Sequence, residues 1–331
     1  MSHAKNRIYP VEAIRFLLML IVCIWHFDRG LGVMWHGYLA VDFFFILSGF
    51  FLYFSATKPQ AKRTLDYTLD KVKRYYPETL IVLFPLLIVS WPRALEEPQR
   101  LLNDLFFVTS SSIFGGGWNA PLWFLHIMLL AGAILYPLVK NWRRVSITVL
   151  LPCLFLFGMT FLLNRDGGRL ETGGIAGPFD CSLLRGLSEM SFGILVAAFW
   201  QIKSCTITEN IAGRTCVNIL SWIGMAAILA LLFIKPVYDR YILIFSPIVI
   251  VACYDANTAL NRMFKSAVWD YLGGVSFEMY LVHFGIMKVF VRFLGRGYDG
   301  LLFAVYLVAV FAASFLLRWV YTKVLKMKPA R

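Results

Sequence analysis

The sequence predicts an all-α fold: a polytopic membrane protein with about ten transmembrane helices and with N- and C-termini cytoplasmic. Three observations predict it. Of 331 residues, 59% are hydrophobic, 16% aromatic and only 15% charged, and the mean hydropathy is +0.69, a composition suited to lipid rather than water. Apolar segments of roughly 20 residues recur along the chain, and in lipid such segments must be helices, because each backbone N–H and C=O has to find its partner within the segment. Lysine and arginine then alternate in density from one connection to the next.

Spans are predicted at 10–29, 38–57, 76–92, 121–140, 146–163, 184–202, 217–235, 240–255, 270–291 and 300–322. Those at 76–92 and 240–255 have short apolar cores interrupted by Pro85 and Pro247, which a packed bundle tolerates better than lipid does. With the N-terminus inside, the inner segments hold Lys5, Arg7, Lys58, Lys62, Arg63, Lys71, Lys73, Arg74, Lys140, Arg143, Arg144, Lys203, Arg214, Arg262, Lys265 and the tail from Arg318. The outer loops, with Arg29, Arg93, Arg100, Arg165, Arg169, Lys235, Arg240, Arg292 and Arg296, hold about half as many, which orients the chain. The net charge of +13 is then mostly topology, and no basic soluble face with interleaved aromatics points to a nucleic-acid partner. The first apolar run is long and lacks a small-residue cleavage site, so it reads as a span and not a signal peptide. Six cysteines without a CxxC pair read as apolar packing, with no metal site expected. The longest polar stretches, 93–119 and 164–183, are glycine-rich outer loops, and one membrane domain over 1–331 is expected, with no appended soluble domain.

The first span contains RFLLMLIVCIWH, residues 15–26. A charge at the bilayer centre costs about 3 kcal/mol even on an insertion scale, so ionisable residues there ask for a reason. Arg15 and His26 are eleven positions apart, which sets them on nearly the same helix face about 16 Å apart along the axis. Taken singly, Arg15 has the alternative of snorkelling to the inner headgroups and His26 that of bonding a loop carbonyl. Taken together they give one face two polar anchors, and no other histidine is expected at the face and depth of His26. Asp42, in VDFFFILSGF, opens the second span at the same outer depth. A carboxylate there can hold one ring nitrogen of His26 and leave the other as a base; its alternative is a helix cap. Gly49, on the face of Asp42, reads as packing, and Ser48 is a cavity candidate that lacks a nucleophile elbow and has the alternative of bonding back to its own helix.

TLDYTLDKVKRYYP sets Leu65, Leu69, Val72 and Tyr76 against Asp66, Asp70, Lys73 and Arg74. This predicts an interfacial amphipathic helix over about 62–76, stopped by Pro77. Lys71, Lys73 and Arg74 suit either anionic lipid or a phosphate-bearing cytoplasmic donor. In VSFEMYLVHFG of the ninth span, Ser276, Tyr280 and His283 fall at i, i+4 and i+7, which suggests one face lining a cavity. Glu278 faces elsewhere, toward a basic residue near the inner interface. In the sixth span Arg185 and Glu189, four apart, read as a structural ion pair. His126, in PLWFLH, reads as a packed histidine, with Trp123 of the same stretch a candidate for the cavity.

Arg15 and His26, then VDFFFILSGF, KVKRYYP, PLWFL and GGVSFEMYLVH, in that order, resemble the acyltransferase 3 family of integral-membrane O-acyltransferases, to about residue 285. The resemblance implies about ten membrane helices in the inner (plasma) membrane and transfer of an acyl group, usually acetyl from acetyl-CoA, to hydroxyls of an envelope polysaccharide or glycolipid on the far side. It implies that His26 and Arg15 are essential and that Lys71-x-x-Arg74 serves the CoA donor. The family usually has arginine at both of those positions, so Lys71 keeps the charge and loses the bidentate fork. Met128 stands where relatives often have a glutamate, and many relatives carry a C-terminal hydrolase-like domain that is not expected here. The expected partners are acyl-CoA, the acceptor and membrane lipids. A pantetheine arm of about 15–20 Å, counted as an extended chain, would carry the thioester from Arg15 to His26. There His26 either deprotonates the acceptor hydroxyl or carries the acyl group itself. The alternative is a transporter or flippase of a glycan or lipid-linked saccharide, whose sites lie between inverted repeats; no repeat is evident.

Overall fold

A computed structural model describes residues 8–28, 36–109, 115–171, 173–294 and 300–325. Lys5, Arg7, Arg29, Arg296 and the tail beyond 325, counted above for orientation, and the side chain of Cys205 lie outside the described residues. The helices are α1 (Tyr9–Asp28), α2 (Leu39–Thr57), α3 (Thr64–Val89), α4 (Arg93–Glu96), α5 (Pro98–Leu105), α6 (Leu122–Asn141), α7 (Arg143–Val145), α8 (Leu151–Arg165), α9 (Cys181–Thr208), α10 (Ile211–Leu231), α11 (Ile242–Tyr254), α12 (Ala259–Met263), α13 (Ala267–Leu294) and α14 (Gly300–Trp319). A two-stranded antiparallel hairpin, β1 (Ile175–Ala176) with β2 (Phe179–Asp180), interrupts the loop before α9.

Nine helical segments among the described residues are long and apolar enough to cross a membrane, and they match every predicted span except that at 76–92. That span is absorbed into α3, a single helix of 26 residues that contains both Pro77 and Pro85. The expected stop at Pro77 is therefore corrected. Proline removes one backbone hydrogen bond and crowds the carbonyl four residues earlier, but in a bundle neighbouring helices and side chains take up that carbonyl and the helix continues.

α3 nevertheless runs from one end of the bundle to the other. Just before its start, the Lys62 carbonyl accepts from Tyr136 Oη (2.9 Å) and Lys140 Nζ (2.8 Å) at the end of α6. Beyond its other end, the Trp91 carbonyl accepts from Arg292 (3.1 Å), at the end of α13. The start of α13 lies at the start of α1, where a Cβ on Gly273 would sit 2.6 Å from the Glu12 carbonyl oxygen. Arg318, near the end of α14, lies 3.9 Å from Glu278, the basic partner expected for that glutamate. The first and last described helices thus meet at one end of the bundle, the basic end that holds Lys62, Lys71 and Arg74.

The tightest seam is between α2 and α9. A Cβ on Gly49 would lie 2.0 Å from the Met190 carbonyl oxygen, and one on Gly193 would lie 1.9 Å from that of Ile46. Two glycines thus let two backbones touch, as packing without a hydrophobic driving force requires. At the far end the long loops are fastened down. Buried Asp104 accepts from Thr109 Oγ1 (2.8 Å) and from the backbone N–H groups of Trp118 (2.7 Å) and Asn119 (3.1 Å), while burial holds its carboxyl above the usual range. Asn119 Nδ2 in turn donates to the Leu281 carbonyl of α13 (3.1 Å). Asp239 accepts from Tyr38 Oη (2.6 Å) and Leu170 N–H (3.1 Å), which ties the 164–183 loop to the start of α2.

Candidate functional site

One cavity of about 2270 Å³ runs through the bundle from the basic end to the far end. Arg15, Lys71, Lys73 and Arg74 line it at the basic end, Ser48 and Ser276 between, and His26, Trp123 and Tyr280 toward the far end. Residues chosen from five separate stretches of sequence are thus brought to one cavity. Asp42 and His283 do not line it.

At the basic end Arg15 Nη1 donates to both oxygens of Glu12 (3.2 Å each), one turn earlier on α1, and its side chain keeps 29% exposure toward the cavity it lines. Lys71 Nζ sits 5.6 Å from the centre of the Tyr67 ring, which stacks on Tyr136 of α6 at 3.9 Å. Because α3 is continuous, Lys71 and Arg74 share a helix face that tertiary packing holds in place. Ser48 Oγ donates to Met128 Sδ (3.3 Å) and not to its own helix, so the methionine at the expected glutamate position faces the serine.

Toward the far end the half-buried His26 ring lies 5.0 Å from the His283 ring and 5.5 Å from Phe284. His283 is fully buried, with Nδ1 2.8 Å from the Tyr280 carbonyl oxygen and 3.1 Å from that of Met279. A carbonyl only accepts, so Nδ1 carries the hydrogen; Nε2 keeps its lone pair and has no hydrogen-bond partner among the described residues. Two expectations are corrected here. His283 leaves the cavity stripe of Ser276 and Tyr280 because α1 packs along α13 at that level, and a second histidine does stand beside His26. Tyr280 donates to the Pro121 carbonyl, and Ser276 Oγ bonds back to Gly273 (2.7 Å).

Asp42 is not the partner of His26. Its Oδ1 accepts from Arg185 Nε (2.9 Å) and Nη2 (2.6 Å), and Arg185 Nε also reaches Glu189 Oε1 (3.4 Å). The helix neighbouring α2 most closely is α9, and a guanidinium wins a carboxylate over a neutral imidazole through charge-assisted bonds. The expected Arg185–Glu189 pair is present and proves to be part of a buried triad. One signal for it was available: two acidic residues and one basic residue near the far ends of their spans. No comparable signal announced the Asp104 loop clasp. Arg185 lines the cavity and lies 5.7 Å from the centre of the Trp123 ring. Among the described residues no group of three or more His, Cys, Asp or Glu is placed to hold a metal ion.

Fold and site together define a polytopic membrane protein that encloses its polar groups within the helix bundle. The chain belongs to the acyltransferase 3 family: the family's sequence model, described as an acyltransferase domain, matches residues 8–320, nearly the whole chain. The protein is accordingly a membrane acyltransferase. No curated protein and no solved structure matches it.

Proposed function

We propose that the protein moves an acyl group, acetyl in the first instance, from acyl-CoA at the basic end to a hydroxyl of an envelope glycan or glycolipid at the far end. It does so in the inner (plasma) membrane with the basic end cytoplasmic. The observation that carries this reading is the single cavity joining Arg15, Lys71, Lys73 and Arg74 to His26. The cationic cluster suits the donor's phosphates. Helical rise separates Arg15 from His26 by about 16 Å, within the roughly 15–20 Å reach of an extended pantetheine arm.

At His26 the acceptor oxygen attacks the thioester carbonyl carbon as its proton passes to the imidazole. The C–S bond breaks, the CoA thiolate takes the proton from the imidazolium, and an O-acyl ester and CoA thiol leave. An acyl-imidazole intermediate balances equally and uses the same residues. In either route the lone pair on His283 Nε2 is available to the charged His26 ring.

The test is acetyl-CoA turnover by the purified protein in nanodiscs with an envelope glycan fraction. Thioester loss matched by O-acetyl product, and both lost in His26→Ala, is the expected result. Thioester loss that never yields an acylated glycan, or no loss at all, would overturn the reading.

A further inference from the structure

The wall formed by Trp123 and Arg185 is not needed for the donor's route, and its chemistry is specific. Trp123 stands in the first turn of α6, half-buried and lining the cavity. Arg185, on α9, is fully buried apart from the cavity it lines, and its guanidinium lies 5.7 Å from the indole centre. Its Nε and Nη2 are committed to Asp42 Oδ1 at 2.9 and 2.6 Å, with Glu189 at 3.4 Å. Nη1 is used in none of these bonds, so the group retains N–H donors.

The charge count decides what such a wall can hold. One guanidinium beside two carboxylates is never net positive, whichever carboxyl carries a proton. At the same end Arg169 is paired with Glu171. Among the described lining residues of the cavity at this end, Arg185 is the one arginine or lysine and Glu171 the one acid, so the wall offers hydrogen-bond donors and an aromatic face without an uncompensated positive charge for an anion. An acidic group brought here would be desolvated beside a guanidinium whose charge two carboxylates already compensate, which costs more than the contacts return. A neutral pyranose meets no such cost: its C–H face covers an indole while its hydroxyls accept from a guanidinium.

We propose that Trp123 and the carboxylate-neutralised Arg185 form the acceptor subsite, and that it takes a neutral sugar ring stacked on the indole in preference to an acidic sugar. This rests on the acyl-transfer reading above. In that arrangement the Asp42–Arg185–Glu189 triad is a specificity element: it fixes the donor geometry of the guanidinium and cancels its charge.

The experiment uses the full-length protein in nanodiscs with acetyl-CoA and two acceptor series, neutral methyl hexosides and the corresponding methyl hexuronides, followed by mass spectrometry of the products. The neutral series is expected to be acetylated with kcat/KM at least about tenfold above the acidic series. Trp123→Ala is expected to raise the hexoside KM about tenfold while the acetyl-CoA KM stays within about twofold, and Trp123→Phe to recover most of the loss, because a stacking face is restored. Equal or better use of hexuronides would overturn the subsite while leaving acyl transfer standing. So would an acceptor KM unmoved in Trp123→Ala, or a donor KM that rises in step with it. If the wild type consumes no acetyl-CoA with either series, the acyl-transfer reading falls and the subsite with it.

Discussion

The imidazole rings of His26 on α1 and His283 on α13 lie 5.0 Å apart, and the Tyr280 carbonyl fixes the tautomer of the second. The proposed base thus stands beside a neutral imidazole and not beside the carboxylate that acid–base chemistry more often employs. A neutral partner can stabilise an imidazolium without placing a permanent negative charge beside an acyl donor that is itself polyanionic.

Replacement of His26 should remove the chemistry and little else. His26→Ala is expected to lower the rate of acyl transfer at least about 100-fold, the usual loss for a general base, with unchanged membrane insertion. Initial rates with acetyl-CoA, set beside the yield of folded protein, check this; activity above about a tenth of wild type contradicts it.

His283→Asn separates the two nitrogens of that ring. The amide can still donate to the Tyr280 carbonyl but presents no lone pair in the position of Nε2. A fall in kcat of about tenfold or more, with the acetyl-CoA KM unchanged, is expected if Nε2 supports the charged His26. A purely structural histidine would instead show a lower melting temperature at near-normal kcat.

Asp42→Asn tests the triad. Losing one carboxylate from a buried guanidinium leaves Arg185 with Glu189 alone at 3.4 Å, and breaking a buried pair typically costs about 3–5 kcal/mol. The expected result is a large drop in thermal stability in detergent. Full stability with a selective loss of kcat would restore the His26 partnership that the geometry assigns elsewhere.

Lys71 and Arg74 should act on the donor. Alanine at either is expected to raise the acetyl-CoA KM about tenfold with kcat within about twofold, and the effect should shrink at high salt. Lys71→Arg should lower the KM, because a planar fork binds phosphate bidentately where an ammonium cannot. Steady-state kinetics at two ionic strengths decide the matter.

Gly49→Ala is expected to destabilise the fold by about 1–3 kcal/mol or more, since its Cβ would fall 2.0 Å from the Met190 carbonyl oxygen and only movement of a backbone can relieve that. Thermal unfolding of Gly49→Ala and Gly193→Ala, against an exposed control such as Gly116→Ala, measures it.

The spans were legible because lipid leaves a backbone few options, so hydropathy and length alone place them. Pro77 was misread because a proline is a reliable stop only where a freed carbonyl has no neighbour, and neighbours are tertiary information. The same limit explains the site. Periodicity tells which face of a helix Arg15, His26 or Tyr280 occupies, which sufficed to set these three on the cavity wall but misplaced His283. It does not tell which helix packs against that face. Asp42 went to Arg185 because Gly49 and Gly193 bring α2 and α9 together, and His283 came to His26 because α1 runs along α13. Both facts link stretches of chain far apart in sequence, where no spacing rule operates.

The long cavity also has an electrical consequence. At about 2270 Å³ it has room for roughly 75 water molecules at bulk density, and filled with water it would replace part of the insulating slab by a conducting medium. The membrane potential, worth about 2.3 kcal/mol per unit charge per 100 mV, then falls across whatever closes the passage rather than across the full bilayer. With the basic end cytoplasmic, as proposed, an interior-negative voltage drives anions toward the far end. An acyl-CoA entering between Lys71 and Arg74 would be drawn inward by the energised membrane, and an energised cell would load its donor more readily than a depolarised one at the same CoA concentration.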